Sequence, residues 1–490
     1  MTFTRRQFMK AGVAVSAASA FPSIWWRVRE AAATLDPCET GVNLVIVHVE
    51  GGNDGINMVI PKSDGTGQNR TAYDTVRLPG GINIAQSSLA ATQIGNDPLH
   101  NGELALHPHM VGLKALYDSG NLAVMCGVHY PNPNLSHDVS STIWYRADPS
   151  LVGPGSGWMG RTVDTLCSAS SSAVPAVDTE GQLNPLFYGN TSVFAFDSLS
   201  DLVFPVSDAI TNAGLKSAYR NSFSNIYSNA VNNAAGFLKS IGATGSTASD
   251  KVDLYGSANE SLATNLNGLL HGSGAFGVSG VRQNFTLARN LRTVFALMKG
   301  AQPGNQPLGC RIFRVSIGGF DTHTDQGSYT NTAIATKVQN GFPGEYHGSL
   351  MHHIDRALSA FWADVQGDAV LKGTTVLMTF SEFGRRVEEN GDHDQHSGTD
   401  HGTAAPQFVI GPKAGESAIA THLVGGVYGA YPELDTPNLD DDGNAVFQLD
   451  FRHIYGEIIN RWLGLSGPTA KSILGGYDYL TDPASANFLA

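Results

Sequence analysis

The sequence is short of cysteine, of basic residues and of long apolar runs. Only four cysteines occur in 490 residues, Cys38, Cys126, Cys167 and Cys310, and none stands in C-x-x-C spacing. Zinc-thiolate and thioredoxin-type chemistry are therefore disfavoured, and four cysteines allow three pairings among which spacing does not choose. Lysine and arginine number 30 against 43 acidic residues, a formal net charge of −13. Such a chain carries no electrostatic footprint for nucleic acid. Any anionic ligand would need a local reversal of the field, which a metal ion supplies. No stretch reaches the ~20 predominantly apolar residues of a spanning helix, so no stable membrane span is expected. A fixed-period repeat is also lacking.

What is present begins at the N-terminus. Thr4-Arg5-Arg6-Gln7-Phe8-Met9-Lys10 precedes a weakly apolar stretch, Ala11 to Ile24, rich in Ala, Val and Ser. A basic end, a short apolar region and small residues at a cleavage point make a targeting segment, and paired arginines there are its twin-arginine form. The bland alternative is an ordinary secretory signal or a basic amphipathic helix. Residues 1–33 are read as the signal, cut after Ala20 or Ala33. The partner during export is the twin-arginine translocase, and the destination is the periplasm or the extracellular space. Because that route carries folded protein out of a reducing compartment, no essential disulfide is expected. Cys126, in an apolar run, reads as a core residue.

Residues 41–480 read as one α/β domain. Val42–Val49 and Asn121–Val128 have the apolar character of buried strands, as do Arg311–Ile317, Thr374–Phe380 and Gln407–Ile410. Met110–Tyr117, Ser136–Tyr145, Gly344–Val365 and Phe451–Leu463 have helical spacing. Strands separated by helices imply a mainly parallel sheet with helices on both faces. Between 147 and 302 the composition shifts to Ser, Ala, Asn and Gly. Ser207–Ile241, Val252–Leu270 and Val281–Met298 look helical there, so this part reads as a largely helical insertion or cap.

In a parallel sheet, ligands gather beyond the carboxyl ends of the strands. There the sequence places Gly51-Gly52-Asn53-Asp54-Gly55, Gly318-Gly319-Phe320-Asp321-Thr322-His323, Ser381-Glu382-Phe383-Gly384-Arg385 and Gly398-Thr399-Asp400-His401-Gly402. Carboxylates and imidazoles converging from several strand ends suit a divalent metal. The glycines let the backbone turn tightly and come close to a ligand. Asn132-Pro133-Asn134-Leu135-Ser136-His137-Asp138 places Ser136 where a helix begins, a position that favours an anion and, beside a metal, an activated nucleophile. Each element has a plainer reading. Asp54 could be a turn residue, Ser136 a helix cap, Asp321 and His323 surface residues, and Glu382 with Arg385 a buried ion pair. Gly391-Asp392-His393-Asp394-Gln395-His396 reads as a solvated loop.

Together with Ile56-Asn57 and Ser136-His137, these five motifs in this order resemble the twin-arginine-exported "domain of unknown function 1501" family. That family is similar to the alkaline phosphatase/sulfatase superfamily. The resemblance covers most of the chain outside 147–302. It implies an alkaline phosphatase-like fold and two metal positions about a nucleophile. By similarity Asp54 is the first-strand carboxylate ligand and Ser136 the nucleophile. Asp321, His323 and His401 serve the metal that activates water, and Glu382 with Asp400 serves the other. Arg385 or Arg386 would hold substrate oxygens. Two departures stand out: Ser381-Glu382 replaces the usual Asp-His, and Asp321-x-His323 shortens the usual Asp-x-x-x-His. Both leave the number of ions open, and their identity among zinc, magnesium, manganese and calcium. No Cys/Ser-x-Pro-x-Arg signature lies near Ser136, so a formylglycine sulfatase is disfavoured. The implied activity is metal-dependent hydrolysis of a phosphate or sulfate ester, on a small molecule or a polysaccharide. The alternative is a non-catalytic protein of the same fold in cell-surface assembly or carbohydrate binding. Replacing Arg5 and Arg6 together by lysine should leave uncleaved precursor in the cytoplasm, as checked by fractionation and immunoblotting; normal export of that variant would remove the twin-arginine reading.

Overall fold

The computed structural model describes residues 41–167, 175–191, 193–201, 255–271, 286–300, 311–327, 346–394, 396–481 and 486–490, with isolated positions between 212 and 252. Residues 1–33, read above as the signal, and most of 207–241 lie outside the described residues, as do Cys38 and Cys310.

In chain order the strands are β1 (Asn43–Val49), β2 (Val59–Pro61), β3 (Gln93–Asn96), β4 (Glu103–Leu106), β5 (Leu122–His129), β6 (Ala176–Asp178) and β7 (Phe194–Ala195). There follow β8 (Ile312–Ile317), β9 (Thr375–Phe380), β10 (Gly384–Arg385), β11 (His401–Gly402), β12 (Ala405–Ile410), β13 (Gly426–Tyr428) and β14 (Leu449–Asp450). The chain divides into two compact units.

The larger unit comprises Leu44–Gly153, Thr264–Leu291 and Ser316–Ala490. Its sheet runs β13-β5-β12-β9-β1, with β14 also against β5. Every residue of β1, β5, β9 and β12 is buried, which is why these strands read as unbroken apolar runs. β13 and β14 lie parallel to β5, whereas β12 is antiparallel to both β5 and β9. The antiparallel strand follows from its connection. Between β9 and β12 the chain forms the short β10–β11 hairpin and no helix, and a parallel return needs a long crossover, usually helical. A second, three-stranded antiparallel sheet, β2-β4-β3, packs within the same unit. The helices expected at Met110–Tyr117, Ser136–Tyr145 and Gly344–Val365 occur as Val111–Asp118, His137–Arg146 and Tyr346–Gln366. The expected closing helix is α-helical over Phe451–Glu457 and continues as a π turn over Ile458–Trp462.

The smaller unit comprises 154–263 and 292–315, with the chain before Leu44. Within it β6 pairs in parallel with both β7 and β8. The buried Arg314 of β8 pairs with the buried Asp178 of β6 at 3.0 Å. Over 147–302 the described residues include the two short strands β6 and β7 and the helices Trp158–Leu166, Thr264–His271 and Thr286–Lys299, of which Thr264–His271 belongs to the larger unit. Cys126 is buried and unbonded, as a core residue. Cys167 is disulfide-bonded, to a partner outside the described residues. Among the described residues no helix is long and apolar enough to cross a membrane.

The helix His137–Arg146 carries one wall of the site described below. Asp138 in its first turn and Arg146 in its last suit the helix dipole, and it stops where Ala147 turns left-handed at φ 51°. Its anchor is Trp144, 1% exposed, stacked on Phe451 at 4.3 Å and on Phe380 at 5.7 Å. Trp144→Ala should lower stability by about 3–5 kcal/mol, read as a fall in the denaturant midpoint at unchanged slope.

Candidate metal centre

The site lies wholly in the larger unit and is built on one buried cation. Arg385 lies on β10, directly opposite His401 on β11. Its Nε donates to the Gly52 carbonyl (2.7 Å), Nη1 to the Thr399 carbonyl (2.9 Å), and Nη2 to the carbonyls of Gly51 and Phe320 and to Asp321 Oδ1 (2.6 Å). The guanidinium thus ties together the loops after β1 and β8 and the segment before β11. Glycine makes the approach possible. A Cβ on Gly51, whose φ is +117°, would lie 2.5 Å from the Asp321 amide nitrogen, and one on Gly402 would lie 2.4 Å from the Arg385 carbonyl carbon.

Asp321, drawn in by Arg385, is met by three imidazoles. Its Oδ1 lies 3.1 Å from His323 Nε2 and 3.2 Å from His401 Nε2; its Oδ2 lies 3.5 Å from His137 Nε2. His137, Asp321 and His401 offer ligand atoms that all lie within 4.8 Å of one another. His323 joins them from the side of Asp321 and His401, its Nε2 only 3.0 Å from His401 Nε2.

The far nitrogen of each ring faces an acceptor. His401 Nδ1 faces the Leu135 carbonyl at 2.8 Å, which can only accept. His137 Nδ1 faces Glu382 Oε1 at 2.8 Å, an oxygen that already accepts the Gly51 N–H at 2.9 Å. His323 Nδ1 faces Asp400 Oδ1 at 3.2 Å, which also accepts from the Asn390 side chain. Each outer contact favours a proton on Nδ1, while Nε2 of His323 and of His401 faces the Asp321 carboxylate, to which a charged ring would also donate. His137 Nε2 is buried with no hydrogen-bond partner. Metal-ligating histidines are held in this way, the outer N–H given to a carboxylate or carbonyl.

The charges around the centre agree with that arrangement. Burial would raise the Asp321 pKa, but the hydrogen bonds from Arg385 and His401 outweigh it and lower the pKa. For His401 burial dominates and lowers the pKa, favouring the neutral ring. Burial alone would push the Glu382 carboxyl up; the hydrogen bond and charge of His48, with the bond from His137, bring it from 4.5 down to about 2. His48 is buried on β1, 3.3 Å from Glu382 Oε2, and stacks on Phe380 at 4.4 Å. Burial opposes its charge, yet bonding to Glu382 and to Glu50 raises its pKa.

The structure sorts the residues offered by the sequence into different places. Asp321, His323 and His401 come together as ligand candidates. Glu382 and Asp400 stand one shell out, each behind a histidine. Asp54 is elsewhere: fully buried, it receives Nη1 and Nη2 of Arg77 at 2.7 and 2.9 Å and also the Gln326 amide. Burial would raise its pKa and the Arg77 charge lowers it, so Asp54 is the anion of an internal ion pair. Arg385 is 1% exposed and turned entirely to the protein; Arg386 is half-buried, with Nε unpartnered. Ser136 precedes the helix His137–Arg146, is exposed, and makes no side-chain cap bond. His137, His48, Arg77 and Gln326 escaped the sequence reading. His137 had a signal, since it adjoins Ser136 in the motif; the others had none.

Residues 306–475 match the family model described as "Protein of unknown function (DUF1501)". The matched segment contains Asp321, His323, Glu382, Arg385, Asp400 and His401; Asp54, Ser136 and His137 precede it. No curated protein matches the chain.

The depressed carboxyl of Glu382 gives a pH test. A lowered folded-state pKa contributes stability that is present above about 4.5 and is lost as the pH falls through about 2. In chelator-treated protein, wild type should exceed Glu382→Gln by about 3 kcal/mol near neutral pH, and the gap should close between pH 4.5 and 2 in denaturant titrations. A pH-independent difference would mean that Glu382 is not held as an anion.

Proposed function

We propose that this protein is an exported, metal-dependent hydrolase of phosphate or sulfate esters, with an alkaline phosphatase-like fold and Ser136 as its nucleophile. The observation that carries the reading is the convergence of three inward-facing imidazole nitrogens on Asp321 beside a serine whose hydroxyl caps nothing. Ser136 is tied to that cluster on both sides: Leu135 gives its carbonyl to His401, and His137 is the next residue. Backbone N–H groups of the first turn of a ten-residue helix follow it, and such groups favour an anionic ester. A divalent ion held by the cluster would supply Lewis-acid stabilisation and lower the pKa of the attacking oxygen. Ser136 Oγ would attack phosphorus or sulfur as its proton is lost, the alcohol would leave, and water would then release the esterified serine. With Arg385 committed to the protein, Arg386 is the guanidinium left to face substrate oxygens.

The second reading is a non-catalytic member of the same fold, in surface assembly or carbohydrate binding. It is favoured by the commitment of Asp54 to Arg77, which takes a carboxylate out of the chemistry.

Ser136→Ala discriminates between them. In metal-loaded protein it should abolish hydrolysis of aryl phosphate or aryl sulfate esters by several orders of magnitude. Its melting temperature should stay within error of wild type, because no cap bond is lost. Full activity in the variant would exclude Ser136 as nucleophile, and a metal-loaded wild type inert to every ester would favour the non-catalytic reading.

A further inference from the structure

We infer that the turn bearing His107 and His109 is an acid-released latch: near neutral pH it holds the helix Val111–Asp118 against the helix Tyr346–Gln366, and it lets go when His107 is protonated. The latch stands apart from the centre described above, and its test needs neither an ester nor an ion.

The latch is a row of four imidazoles. His107 directly follows β4, and His109 comes two residues later. Ring centroids lie 5.1 Å apart for His107 and His109, 6.2 Å for His107 and His347, and 6.1 Å for His109 and His352. Two rings thus come from the turn and two from the helix Tyr346–Gln366. His107 and His347 are buried, and His109 and His352 are half-buried. The turn depends on the state of one nitrogen. His107 Nδ1 accepts the His109 backbone N–H at 3.2 Å, and the Met110 N–H donates to the His107 carbonyl at 2.8 Å. An accepting Nδ1 bears no hydrogen, whereas a charged imidazole donates from both nitrogens. Protonation of His107 therefore breaks the bond from His109 and places a charge among packed imidazoles away from water. The joint beyond the turn is tight. The buried Asp355 accepts the Leu113 N–H at 2.6 Å, and a Cβ on Gly112 would lie 2.3 Å from Ser359 Oγ.

The titratable and charged groups around the row are His109 from the turn and His347, His352, His353, Asp355 and Arg356 from the helix; behind His347 stand Asp54, Arg77 and Arg385. Burial, and then the charges of His109, His347 and His352, hold the His107 pKa well below 6.5. Burial likewise brings His352 down to about 3. With folded-state values lowered, an opened segment takes the protons first. The closed latch is favoured above about 6.5 and loses that preference as the pH falls. Asp355 acts in the opposite sense. Burial raises its carboxyl to about 6, so acid favours the closed state there, but one carboxyl offsets only one of the two histidines. The helix Tyr346–Gln366 also supports the centre from behind: the His347 N–H donates to the Gln326 carbonyl at 3.2 Å, and His347 Nε2 meets Asn53 Oδ1 at 3.1 Å. An opened latch loosens that support.

The test is amide hydrogen exchange of the purified full-length chain from about pH 7 to about pH 5, corrected for the intrinsic pH dependence of exchange. Opening of the Val111–Asp118 amides should rise about tenfold per pH unit below about 6.5, the slope of one net proton taken up. His107→Asn keeps an oxygen acceptor for the His109 N–H and has nothing to protonate, so its slope should vanish, Asp355 then offsetting His352. His352→Gln should flatten the response in the same way and decides the matter should His107→Asn fold poorly. Wild-type protection that holds down to about pH 5, or an equal slope in wild type and in the variants that fold, would overturn the inference.

Discussion

Arg385 lies beneath three loop segments, and all three of its guanidinium nitrogens donate inward. A buried charge is tolerated only when its hydrogen-bonding capacity is met, so the loops that meet it are obliged to close over it. Gly51, Gly52, Phe320 and Thr399 supply carbonyls, and Asp321 supplies the compensating charge. The rest of the site follows from this. Asp321 is held at the place where His401 arrives on the strand opposite Arg385, and the loop that bears Asp321 also bears His323.

A second layer of fixed charge surrounds the first. Glu382 is kept anionic by His48 and in turn orients His137, while Asp54 and Arg77 form an internal pair that joins the loops through Gln326, which also bonds Thr322 and Thr399. These acidic groups divide into those that orient histidines and those that hold backbone. That division explains how a protein of net charge −13 can gather carboxylates in one region: each carboxylate is matched by a cation or an N–H donor. The free valence at the centre consists of imidazole nitrogen and one carboxylate, a softer set than a cluster of acids would make.

The buried strands and the long helices were legible because burial on both faces demands unbroken apolar runs and helical packing demands a period near 3.6. The antiparallel turn of β12 was not legible, since apolar content carries no direction and only the helix-free connection decides it. The short strands β6 and β7 have too few residues to show any period. At the site, Asp321, His323 and His401 stood out because glycines flank them at strand ends. Asp54, Glu382 and Asp400 stood out for the same reason, and pattern alone had no means of separating a carboxylate that faces a centre from one that faces an arginine.

The sequence by itself determined the element types, the loops that carry the chemistry, and the residue classes available in them. Those properties are local, set by periodicity, by turn-forming glycines and by side-chain pKa. The tertiary structure alone decided the roles. Asp54 became an ion-pair partner because Arg77, 23 positions away, reaches it. His137 joined Asp321 and His401 because a helix after β5 begins against a hairpin after β9. Whether a carboxylate binds, orients or neutralises depends on which cation or donor lies within about 3 Å of it, and such distances exist only once chain segments hundreds of residues apart have packed.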